Sequence, residues 1–71
     1  EEKRDNAEAI TAYTKALELD PQYMIAYKKL GFLLLKEGKN DEAKKSFEKY
    51  LEFNPSQRDQ ETIEAILRGM K

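Results

Sequence analysis

With 71 residues the chain is one small domain at most, able to bury only a limited core. Charged residues make up 38% of it with both signs interspersed, and the formal net charge of −1 gives no field that would gather nucleic acid or an anionic membrane. It has no Cys and no His, which removes a disulfide framework, the commonest metal ligands and the usual nucleophile–base pairs, so neither a cofactor, a metal nor a catalytic role is expected.

No apolar run approaches the length of a membrane span, the longest being Phe32–Leu35. The opening Glu1-Glu2-Lys3-Arg4 has no apolar stretch behind it of the kind a signal or transit peptide carries. A soluble, cytoplasmic chain is the expectation.

The first segment able to fold runs from Asn6 to Leu19. Shifted by 34 positions, the separation of Pro21 from Pro55, it places Asn6 on Asn40, Glu8 on Glu42, Ala9 on Ala43, Tyr13 on Phe47, Leu17 on Leu51 and Glu18 on Glu52. That is an internal repeat, and it makes the first helix the counterpart of the third. Asp20-Pro21 is punctuation. Asp20 is expected to cap the next helix, with Pro21 at a first helical position that does not need an N–H.

A second helix is predicted from Gln22 to Glu37, where Tyr27, Leu30, Gly31 and Leu34 fall at i, i+3, i+4 and i+7 on one stripe. Gly31 lies inside it, where an exposed Gly would cost roughly 1 kcal/mol relative to Ala. Gly38 is the expected stop, in a φ > 0 conformation. A third helix, Asn40 to Phe53, is expected to take Asn40 as its cap and Asp41 and Glu42 at its positive end. This last pair could be called an acid–base pair, but helix-terminal charge is the better reading. Ala43, Phe47, Tyr50 and Leu51 form the buried stripe, and Asn54-Pro55 ends the helix. So short a turn between two amphipathic helices requires them to lie antiparallel and face to face.

The final segment, Gln57 to Met70, breaks the period. Keeping it would place Glu61, Glu64, Ala65 and Arg68 in the core, whereas the apolar residues are Ile63, Ile66, Leu67 and Met70. These match Tyr27, Leu30, Gly31 and Leu34 at an offset of 36, the separation of Tyr27 from Ile63. Two extra residues are therefore expected in the turn around Ser56 to Gln60.

The order Tyr27, Leu30-Gly31, Leu34, Ala43, Phe47, Pro55 over a helix–turn–helix resembles the tetratricopeptide repeat (TPR). Tyr27 stands where that family usually has Trp, Leu34 replaces the usual Tyr, and Tyr50 replaces a usually small residue. The resemblance implies an all-α fold of antiparallel helix–turn–helix repeats in a right-handed α-solenoid, here of four helices. Residues 5–21 would be the second helix of a partial repeat, 22–55 a full repeat and 56–71 a C-terminal capping helix. Gly31 should then lie against Ala43, letting the two helices approach. Leu67 takes the small-residue position of the last helix, as suits a solenoid cap. The partner of the first helix would be missing, with Glu1 to Arg4 at best its tail. Ile10 would face that absence, and the face around Ile10 and Tyr13 could pair with another copy.

In this family the first helices of successive repeats line a groove that receives a peptide. Carried over residue by residue, the groove positions are Ile25, Lys28, Lys29, Phe32, Leu35 and Lys36. They join apolar area to positive charge, which implies a protein or peptide partner with acidic and apolar residues. Phe32 has no core place in the register, so its exposure needs a reason. The family's carboxylate clamp does not fit: Phe32 or Lys29 stands where its Asn is required, and Glu61 and Ala65 where later basic residues are. Tyr23, Tyr27 and Tyr50 near lysines could suggest base stacking, but Tyr27 belongs to the core stripe and the charge is balanced, so no nucleic acid is expected. The alternative to a binding module is a purely structural piece or array end without a ligand.

Overall fold

The structure, a computed structural model, describes the backbone of residues 2–70 and the side chains of residues 5–70. It contains four helices, α1 (Glu2–Leu19), α2 (Met24–Lys36), α3 (Asn40–Glu52) and α4 (Gln57–Gly69), and no strand among the described residues. Each helix packs on its chain neighbour, with α2 on α3 the most extensive pairing, while α2 and α4 meet through side chains. Successive helices are antiparallel. Asn6, early in α1, donates its side-chain amide to Glu37 at the end of α2 (3.1 Å), and the ring of Tyr27, early in α2, lies 5.8 Å from that of Phe53, just past α3.

The core is built mainly from the predicted stripes: Leu30 and Leu34 of α2, Ala43, Phe47 and Tyr50 of α3 and Ile63 of α4 are buried, with Tyr27, Leu51, Ile66, Leu67 and Met70 half-buried against them, and Ala26, outside the stripes, is buried as well. Glu61 and Glu64 face outward. Gly31 permits the close crossing of α2 and α3, where a side chain would first meet the ring of Phe47, 2.6 Å from its Cβ. Ala43 sits one turn earlier on α3, and the ring is what fills the space that glycine leaves.

The helix ends also differ from expectation, each for a local reason. α1 starts at Glu2, so residues 2–4 continue this helix rather than forming the tail of another; no Gly or Pro interrupts the run from Glu2 to Leu19. Ile10 does not face away. At i, i+3 and i+7 with Tyr13 and Leu17 it shares the stripe that packs on the core. Asp20 closes a turn instead of capping α2: its Oδ1 accepts from the Gln22 N–H and its carbonyl from the Tyr23 N–H, both at 3.1 Å. Pro21 thus lies in the turn, and Tyr23 precedes the first helical residue.

At the other end of α2, Gly38 has φ of +78°, as expected. The N–H groups of Gly38 and Lys39 return to the carbonyls of Leu35 and Leu34. Lys39 consequently holds the cap position and Asn40 is already helical. Before α4 there is no lengthened turn: Met24 follows Pro21 by three positions and Gln57 follows Pro55 by two. The shift in register is absorbed within α4, whose first turn is capped by the Ser56 hydroxyl accepting from the Asp59 N–H (3.3 Å).

Candidate functional site

Burial along α2 divides the six groove positions. Ile25, Lys29, Phe32 and Lys36 are exposed at i, i+4, i+7 and i+11, one continuous stripe along the helix. Glu37 turns toward α1 through Asn6 and Lys28 toward α4 through Asp59, so the stripe is the face of α2 left open between those helices. It is not purely a surface. The Phe32 ring meets that of Phe47 edge-on, 5.1 Å between centroids at 77°, while remaining 37% exposed. Its outer edge is available to a ligand and its inner edge covers the aromatic centre of the core.

Lys28 and Leu35 lie on the flank. Leu35 is half-buried against the core. Lys28 is half-buried as well, its Nζ 3.2 Å from Asp59 Oδ2 and 5.9 Å from the centre of the Tyr50 ring. The same Asp59 oxygen accepts a 2.7 Å hydrogen bond from the Tyr50 hydroxyl. One carboxylate of α4 is thereby tied to α2 and α3 at once. The Tyr50 hydroxyl and then Lys28 hold the Asp59 carboxyl below its ordinary range. Burial first, and Asp59 second, push Tyr50 up to about 12. Asp59 was not among the residues singled out from sequence. The signal that could have found it is Tyr50 at a usually small position, since a buried phenol needs a partner for its hydroxyl.

The remaining candidates are dispersed. Asp41 and Glu42 are exposed in the first turn of α3, as helix-terminal charges would be. Tyr23 is exposed, Tyr27 half-buried and Tyr50 buried, on three separate surroundings that form no stacking platform. Among the described residues no group of acidic side chains could hold a metal ion, and no helix is long and apolar enough to cross a membrane.

Comparison with known proteins agrees with the geometry. A model described as TPR repeat matches residues 2–38 and one described as Tetratricopeptide repeat matches residues 25–57. The DnaJ homolog subfamily C member 3 proteins of Bos taurus and Mus musculus are each 39% identical over 59 residues, and that of Homo sapiens is 37% identical. The alignment covers 83% of this chain, which spans 12% of the length of those curated relatives. No solved structure matches the chain significantly. With one model covering more than half of its residues and the helix–turn–helix packing present, the chain belongs to the tetratricopeptide repeat family, whose repeats are non-catalytic protein–protein interaction modules.

Proposed function

We propose that the open face of α2 receives a peptide or protein segment carrying acidic and apolar residues. The observation that carries this reading is the stripe Ile25, Lys29, Phe32, Lys36, in which two apolar side chains alternate with two ammonium groups on one exposed face. An apolar side chain of the ligand seats on Phe32 and Ile25, while carboxylates meet Lys29 and Lys36. Charge at such a rim governs association rate and salt dependence, and the aromatic seat governs dissociation. Lys28 and Leu35 act from the flank, Lys28 by holding α4 in place through Asp59.

Titration against a set of acidic–hydrophobic peptides tests the proposal. Phe32→Ala is expected to weaken a bound peptide by roughly 2 kcal/mol or more. Lys29→Ala and Lys36→Ala should act more mildly, with effects that fade in high salt. Because Phe32 also touches Phe47, Ile25→Ala serves as a companion variant that leaves the ring pair intact. If no peptide binds, or binding ignores all four substitutions, the chain is the structural piece or array end that is the alternative reading.

A further inference from the structure

The turn between α1 and α2 and the end of α3 enclose a cleft of about 390 Å³, lined by Pro21, Gln22, Tyr27, Lys49, Glu52 and Phe53. Its size is within the range of ordinary ligand sites, about 300–1,000 Å³. Both walls are fixed by local chemistry. On one side Asp20 closes the turn, its Oδ1 accepting from the Gln22 N–H and its carbonyl from the Tyr23 N–H, which holds Pro21 and Gln22 at the rim. On the other, the Phe53 N–H returns to the Tyr50 carbonyl, and Asn54 takes a left-handed φ of 56° that directs the chain to the buried Pro55. Phe53 is thereby kept beside Tyr27, the two rings 5.8 Å apart and inclined by 31°. Both are only half-buried. At the rim, Lys49 Nζ lies 3.5 Å from Glu52 Oε1, an exposed ion pair of little worth to stability and free to be shared with a ligand.

The chemistry of this lining selects its occupant. A charged group placed between Lys49 and Glu52 gains one partner and meets one opponent, so neither an acidic nor a basic ligand is favoured. A neutral peptide backbone gains from both. Its carbonyl accepts from the ammonium, its N–H donates to the carboxylate, and the Gln22 amide can do either. The rings of Tyr27, Phe53 and Pro21 call for a flat apolar group with little rotamer freedom to lose, and the pyrrolidine ring of proline is such a group. A polyproline II segment also leaves its carbonyls unbonded and open to donors at the rim. We infer that the cleft binds a neutral, proline-bearing extended segment of a partner protein, with a proline ring on Tyr27 and Phe53 and the flanking backbone on Gln22, Lys49 and Glu52. The cleft shares no residue with the stripe proposed for acidic peptides and does not depend on it.

The probe is a capped Ala-Pro-Pro-Ala-Pro-Pro peptide added to the intact isotope-labelled chain, with a capped peptide in which alanine replaces every proline as its control. Saturable shifts of the Tyr27 and Phe53 ring signals and of the Gln22 side-chain amide are expected with the first and not with the second. Gln22→Ala and Lys49→Ala, both at exposed positions and so compatible with folding, should each weaken the peptide roughly threefold. Phe53→Ala should weaken it at least about tenfold, while Ile25→Ala and Lys36→Ala should leave it unchanged. Added salt should barely alter the affinity, since no net charge is matched. Absence of a saturable response, an equal response to the alanine control, shifts centred on the Ile25–Lys36 stripe, or the same signals moved as strongly by an acidic–hydrophobic peptide would each overturn the inference.

Discussion

Gly31 and Phe47 decide whether the central helix pair can close. A methyl group at position 31 would sit 2.6 to 2.9 Å from three atoms of the Phe47 ring, closer than any real contact. The ring has little room to retreat, being fully buried and held edge-on by Phe32. Gly31→Ala is therefore expected to cost about 1–3 kcal/mol by overpacking, despite the better helix propensity of Ala. Gly69, with open space around it, is the matched control, where the same substitution should be neutral or slightly stabilising. Urea denaturation of both variants checks this, and equal midpoints would show that the crossing is looser than described. The family resemblance marked Gly31 as the point of close approach and named Ala43 as its neighbour, without the Phe47 ring that comes nearest. Small residues on both helices suggest a backbone contact, and periodicity cannot show that a large ring one turn away leans into the gap.

At the scale of the element, α4 is held by Ile63 and by the carboxylate of Asp59. Its amphipathic stripe was legible, because Ile63, Ile66, Leu67 and Met70 keep helical spacing whatever register precedes them. The polar tie was not, since Lys28, Tyr50 and Asp59 come from three helices and only the fold brings them together. The starts of α3 and α4 fall where expected, whereas α2 begins two residues late because Asp20 suits a turn as well as a cap. The tie has a pH signature of definite sign. Tyr50 titrates near 12 in the folded chain against an ordinary value of about 10, so its contribution is complete below about pH 10 and is lost as pH rises toward 12. Asp59, shifted downward, contributes fully above its unfolded value and loses that only as acid carries the pH through its lower folded one. Tyr50→Phe should cost about 1 kcal/mol near neutrality and should flatten the alkaline loss of stability. Urea midpoints measured across about pH 8 to 12 test it, and a variant that follows the parent at every pH would mean the hydroxyl contributes nothing.

For the molecule as a whole, close backbone packing runs between consecutive helices and α2 reaches α4 through the Lys28–Asp59 pair, so stability is nearly a sum of neighbour terms along a line. The terms are unequal. α2 and α3 share the most extensive interface and contain seven of the residues that form the buried apolar core and its glycine crossing: Ala26, Leu30, Gly31, Leu34, Ala43, Phe47 and Tyr50. α1 has the greatest length, 18 residues, yet no residue with a described side chain in it is buried. A long helix of low mean burial gains little from propensity alone in water, so α1 depends on the stripe of Asn6, Ile10, Tyr13 and Leu17 that meets α2. Local opening should follow that order. Amides in the α2–α3 hairpin are expected to exchange only through global unfolding, while those of α1 exchange through a partial opening at least about 1 kcal/mol less costly, roughly fivefold faster after correction for intrinsic rates. Native-state hydrogen exchange resolves this helix by helix. Equal protection in α1 and α3 would show a single cooperative unit, with α1 already held as firmly as its counterpart.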